Sequence, residues 1–136
     1  MQHNKYLEDL GIPLKDIGTN FSDVNDKRKR EWAREREIYG FDERETWAID
    51  RYFIEWLYSH LMMYLDRADS VIDLEFYKFK FEGKKYTQKE AILFIVDACK
   101  NFLLIKSEYN EEYTDVLKDV QRAIKLFADI FPAMWW

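Results

Sequence analysis

The segment opening at Thr87-x-x-Glu90 constrains this chain more than any other. The pair is a capping-box sequence, in which the Thr hydroxyl and the Glu carboxylate each satisfy a backbone N–H left orphaned in the first helical turn. The helix it launches, to about Ile105, contains Ile92, Leu93, Phe94, Ile95 and Val96 in direct succession. Five apolar residues in a row point to most sides of a helix, so no broad face is left for water. A helix of this kind sits centrally, and the rest of the chain has to cover it.

The cover is legible on both sides. After Asp42-x-x-Glu45, a capping-box variant, a helix over about 43–67 is predicted. Projected at roughly 100° per residue, Trp47, Phe53, Ile54, Leu57, Leu61 and Leu65 share one arc, with Arg51, Glu55, Ser59 and Asp66 opposite. A last helix over about 110–131 carries Tyr113, Val116, Leu117, Val120, Ile124, Phe127 and Phe131 on one stripe and ends at Pro132. Between 70 and 86 the period shortens to two: LEFYKFKFEGKKYT alternates aromatic with charged residues. That predicts a hairpin of about 74–81 and 84–86, turning at Glu82-Gly83.

Towards the N-terminus, KYLEDLG reads as a short helix stopped by Gly11, and residues 14–24 show no period. Asn25 or Asp26 then caps a charged helix through Tyr39, closed by Gly40, with only Trp32, Ala33, Ile38 and Tyr39 to bury. The predicted fold class is mainly α: a small helical bundle of three long helices plus short N-terminal helices, with one small β-hairpin insertion. Residues 1–136 read as a single domain, an arm over 1–41 followed by a helical core over 42–136.

Composition narrows the class of function. Gly and Pro together number 6 of 136 residues, and Trp, Tyr and Phe number 24. Low-complexity and disordered chains are excluded. The formal charge of −5 lies entirely in residues 42–136, since 1–41 hold 8 basic and 8 acidic side chains. A generally basic nucleic-acid coat is therefore excluded. A single Cys99 makes no internal disulfide, and MQHNKYLEDLG shows no secretory pattern. The most apolar stretch, 91–105, is interrupted by Asp97, Lys100 and Asn101, so no membrane span is expected. The expected compartment is the cytoplasm.

Four constellations could carry chemistry. Glu108, Glu111, Glu112, Asp115 and Asp119 fall on one face of the last helix, opposite its apolar stripe. They read as a solvated face, as a surface for a basic partner, or remotely as a divalent-metal site. Helical enzymes that cleave nucleoside triphosphates hold magnesium between Glu-x-x-Glu and Glu-x-x-Asp motifs on two helices. Here both motifs are contiguous on one helix, which cannot wrap an ion.

Asp50 lies within the apolar arc, which predicts a buried, hydrogen-bonded structural carboxylate. His60 is ten residues on, roughly 15 Å along the axis, so the two make no dyad. Lys27, Arg28, Lys29, Arg30 and Arg34 around Trp32 suit phosphates and a stacked base, but Glu31, Glu35 and Glu37 interleave with them. The terminal Trp135-Trp136 pair either folds back on the core or anchors a partner or a second copy. No nucleophile elbow, phosphate loop, dinucleotide fingerprint or metal-ligand spacing occurs, so no catalytic residue, cofactor or metal is expected.

One resemblance bears on provenance. Tyr39-Gly40-Phe41-Asp42, Arg44-x-Thr46-Trp47, Asp50, Trp56-Leu57, the Gly83…Tyr86-Thr87 turn and the closing Pro132-Ala133-Met134-Trp135-Trp136 resemble a family of short proteins of tailed phages, prophages and related bacterial elements. The resemblance covers nearly the whole chain and brings no catalytic residue with it. It implies a phage or prophage origin, and by analogy a small accessory protein that blocks a host protein, defence nucleases included.

The leading expectation is a non-enzymatic protein-binding accessory protein, its partner a host or phage protein, its contact surface the acidic stripe and the terminal Trp pair. The alternative is nucleic-acid binding through residues 27–36. The remote third is a metal-dependent enzyme on the last helix.

Overall fold

The structure, a computed structural model, describes residues 4–12, 26–105 and 111–136. The chain is mainly α, a small helical bundle with one two-stranded antiparallel hairpin. The elements are α1 (Lys5–Asp9), α2 (Asp26–Tyr39), a 3₁₀ turn (Glu43–Thr46), α3 (Ile49–Ala68), β1 (Lys78–Phe81), β2 (Lys84–Thr87), α4 (Gln88–Leu104), α5 (Glu111–Ile130) and a closing 3₁₀ turn (Phe131–Ala133). They fall into two compact units, Met1–Glu55 and Trp56–Trp136.

In the first unit, Asn4 caps α1 by accepting the Leu7 N–H at 3.2 Å, and Leu7 is buried. Of the four apolar residues available to α2, only Trp32 is buried; Ala33, Ile38 and Tyr39 face solvent. The indole makes up for the other three. Its Nε1–H donates to Glu43 Oε1 at 2.9 Å, and its ring lies beneath the Arg44 guanidinium at 4.2 Å and beside Arg28 at 5.3 Å.

Asp42 does not start a long helix. Its fully buried carboxylate accepts the Arg44 backbone N–H at 3.0 Å, two Arg44 guanidinium N–H groups at 2.9 and 2.8 Å, and pairs with Arg36 Nε at 2.7 Å. Glu45, the other arm of the expected capping box, accepts the Tyr52 hydroxyl instead. Asp42 thus caps the turn while Glu45 is diverted, the backbone makes only a short 3₁₀ turn, and α3 begins at Ile49 rather than at 43.

The later start corrects the reading of Asp50, which is exposed. Its azimuth is that of the buried arc, but it stands in the first turn of α3, where nothing covers it and its charge favours the helix N-terminus. The arc itself is rotated. Ile54, Leu57, Tyr58 and Leu61 are buried together with Glu55 and Ser59, while Trp47 and Phe53 are exposed. Arg51 meets Glu55 at 3.1 Å, so the buried carboxylate has a cationic partner one turn away.

In the second unit, α4 is buried on most sides, through Ala91, Ile92, Ile95, Val96, Ala98, Cys99, Phe102 and Leu103. Both halves of the Thr87–Glu90 capping box form, at 3.1 Å each. α5 packs along α4, burying Val120, Ala123, Leu126 and Ile130. This line runs one side of the expected stripe, so Ile124 and Phe127 are half-buried and Phe131 is exposed.

β1 and β2 pair Lys78 with Thr87 through Phe81 with Lys84. Their two-residue loop puts Glu82 at φ +51° and Gly83 at φ +77°, the left-handed pair that matches strand twist in a tight hairpin. Residues 74–77, expected in the first strand, turn instead, tied by Lys89 N–H to Leu74 O at 3.0 Å and Gln88 N–H to Tyr77 O at 3.1 Å.

Burial pushes the Asp42 carboxyl up, but its hydrogen bonds to Arg44 and the charges of Arg44 and Arg36 outweigh burial and hold it below the ordinary value of 3.8. A lowered folded value stabilises the protein above the unfolded one and is lost as pH falls through the folded one. Asp42→Asn is expected to cost about 3 kcal/mol near neutral pH, because the buried Arg44 guanidinium loses its counter-charge. Asp50→Ala should stay within about 0.5 kcal/mol. Urea denaturation of the two variants checks both, and the Asp42 deficit should shrink on acidification below about pH 4.

Candidate functional site

The second unit carries an apolar groove of about 530 Å³. One wall is a stripe along α3, Trp56, His60, Met63 and Arg67, whose spacing keeps them on one side of the helix over roughly 16 Å. Leu57, Leu61 and Tyr64 contribute the next azimuth inward. Phe127, Phe131, Met134 and Trp136 make up the rest of the lining. The line buried by α5 explains this: with Leu126 and Ile130 turned into the core, Phe127 and Phe131 are left at its margin.

The polar groups of the lining are mostly engaged. His60 Nδ1 lies 2.7 Å from Trp56 O, and its ring stacks on the Trp56 indole at 4.2 Å. A carbonyl can only accept, so Nδ1 carries the proton. Tyr64 donates its hydroxyl to Trp135 O at 3.4 Å and accepts from Gln88 Nε2 at 3.2 Å. Burial pushes the Tyr64 phenol above its ordinary value, against the hydrogen bond from Gln88. Arg67 is different. It lines the groove, and among the described residues no carboxylate pairs with it.

Gln88 holds the C-terminal segment. It is fully buried, and its Nε2 also donates to Ala133 O at 3.4 Å and lies 3.9 Å from Met134 Sδ. Its Oε1 has no hydrogen-bond partner among the described residues. A glutamine in the first turn of a helix reads as solvent-facing, so nothing in the sequence marks it.

Trp135 and Trp136 remain 67% and 58% exposed. Each nonetheless borders a cavity: Trp136 the groove, and Trp135 a smaller hollow of about 160 Å³ with Ile72, Asp73, Phe76, Tyr77 and Ala133.

The acidic face is partly neutralised. Glu111, Glu112 and Asp115 are exposed, and Glu108 lies outside the described residues. Asp119 accepts from Arg122 Nη1 at 3.3 Å, and Arg122 Nε also donates to Glu82 at 2.7 and 3.1 Å. Among the described residues, no group of three or more His, Cys, Asp or Glu is placed to hold a metal ion.

On α2, Lys27, Lys29, Arg30 and Arg34 are exposed. Arg28 meets Glu43 at 3.5 Å and lies over both Trp32 and Trp47. Trp32 is buried between guanidinium groups, which corrects its expected role as a stacking platform: no base can reach its face. Cys99 is buried and its thiol is pushed up to about 12 by burial alone, so it is no nucleophile at neutral pH. No helix among the described residues is long and apolar enough to cross a membrane.

No family model, no curated protein and no solved structure matches this chain.

Removing the Gln88 amide should loosen the tail that carries both tryptophans. Gln88→Leu is expected to cost about 1 kcal/mol, the value of a net buried hydrogen bond. Acrylamide should then quench indole fluorescence more steeply than in the wild type. Unchanged quenching would mean that Gln88 does not position the tail.

Proposed function

We propose that this chain is a small non-enzymatic accessory protein, encoded by a phage or prophage, that works in the host cytoplasm by binding and blocking a host protein. The observation that carries the reading is the exposure of Trp135 and Trp136, one beside a smaller hollow and the other beside an apolar groove. Indoles left in water at the edge of a concave apolar surface are the side chains that most often anchor protein partners. The exposed carboxylates Glu111, Glu112 and Asp115 of α5 add a surface for a basic partner, which gives orientation and association rate more than affinity. Arginine-flanked Trp32 is spent inside its own unit, which favours a protein partner over nucleic acid.

The test is affinity capture from host lysate, with prey identified by mass spectrometry. Three baits are compared: wild type, Trp135→Ala/Trp136→Ala, and Glu112→Lys/Asp115→Lys. One prey held by the wild type, lost with the tryptophan pair and slowed in association by charge reversal, is the expected result. Equal capture by all three folded baits would overturn this contact surface. A prey retained only through nucleic acid, and released by nuclease, would overturn the class.

A further inference from the structure

We propose that the groove along α3 is a binding site for an amphiphilic monocarboxylate: an unbranched hydrocarbon chain lies along the apolar walls and its carboxylate meets Arg67. The protein-binding reading shares Trp136 and the groove's edge with this inference, but the inference rests on the α3 wall and Arg67, which that reading does not use.

Size comes first. A volume of about 530 Å³ falls within the range of pockets that take small organic ligands, roughly 300–1,000 Å³. Its lining runs along α3 from Trp56 to Arg67, roughly 16 Å of helix, which suits an elongated occupant. Trp56, Met63, Phe131 and Trp136 are all about half exposed, and a hydrocarbon chain would remove their apolar area from water.

The polar groups then select the chemistry. His60 Nδ1 is taken by Trp56 O, and the Tyr64 hydroxyl is held between Gln88 and Trp135. Of these two side chains only His60 Nε2 is left to a ligand, so the middle of the groove asks for few hydrogen bonds. An extended peptide, a sugar or a nucleotide would bring donors and acceptors into it without partners, at a cost for each. A methylene chain brings none.

Arg67 marks one end of the stripe, and among the described residues no carboxylate pairs with it or lines the groove. The nearby Asp69 is engaged by Lys89 at 3.1 Å. A guanidinium beside apolar walls favours a planar, bidentate acceptor, and a carboxylate is the simplest one. The two ends of the groove thus differ in the way that the two ends of a fatty acid differ.

Octanoate, decanoate and dodecanoate below their micellar concentrations are the probes, with decanol as the neutral match. Tryptophan fluorescence and titration calorimetry report binding. Affinity is expected to tighten on the order of tenfold for each two-carbon step, as buried methylenes add up. Decanoate should bind about tenfold more tightly than decanol. Arg67→Met should bring decanoate down to decanol while leaving decanol unchanged, and Phe131→Ser should weaken both; both residues are exposed, and circular dichroism checks that the variants fold.

No saturable binding of dodecanoate would overturn the proposal. So would equal affinity for decanol and decanoate, or an Arg67→Met variant that keeps the preference. A fluorescence change that follows protein concentration instead of ligand, with a dimer in sedimentation, would assign the groove to a second copy of the chain. Loss of prey in the capture experiment leaves these titrations unaffected, so the two readings fail separately.

Discussion

The burial of α4 is the constraint on which the second unit depends. Its apolar residues point in most directions, so the helix is stable only when enclosed, and α5 and the hairpin do much of the enclosing. At roughly 25 cal/mol per Å² of apolar area, fully burying side chains the size of Ile92, Ile95 and Leu103 stabilises by about 1.5–3 kcal/mol each, before conformational entropy is subtracted. At the helix start the Thr87–Glu90 box closes the first turn. Because α5 has to cover α4, it turns Leu126 and Ile130 inward, and Phe127 and Phe131 are left over. The groove is a by-product of that choice.

The first unit solves the opposite problem. α2 has almost nothing apolar to bury, and propensity alone does not hold a short helix. Trp32 is fixed instead by a hydrogen bond to Glu43 and by two guanidinium groups, while Asp42 gathers Arg36 and Arg44. Breaking one partner of such an arrangement costs more than the arrangement contributes relative to an apolar substitute, because a desolvated charge is left behind. The resulting 3₁₀ turn delays α3, and the delay alone moves Asp50 from an expected interior position into an exposed first turn.

Local signals therefore carried most of the fold, and long-range pairing carried the exceptions. The capping box at Thr87, the turn at Glu82-Gly83, the stop at Pro132 and the all-round apolarity of α4 each act within a few residues, so they are readable in the sequence. Asp42-x-x-Glu45 looks equally local, yet Arg36 from the preceding helix and Tyr52 from the following one compete for its two carboxylates. The rotation of α3 is of the same kind. Glu55 is tolerated inside because Arg51 is at hand, which a projection of apolar residues does not register. For the site, Trp136 was visible as a costly exposed indole. Arg67, Met63 and Gln88 were not, because the first two sit on a face that reads as ordinary surface and the third at a helix start that normally faces water.

The remaining link joins the core to the groove through a single residue. Thr87 and Glu90 fix the first turn of α4, and Gln88 lies between them, so its side chain is aimed by the capping box. From there it reaches Tyr64 on α3 and Ala133 in the tail, two elements that border the groove or the hollow beside it. The unpartnered Oε1 gives back part of what the two Nε2 hydrogen bonds contribute, so the net stabilisation by this buried amide is small. What the amide adds is direction: a methyl group packs against any neighbour, whereas an N–H group holds a carbonyl and a hydroxyl at fixed positions. The first turn of α4 is therefore coupled, through Gln88, to the tail segment that supplies Met134 and Trp136 to the groove lining.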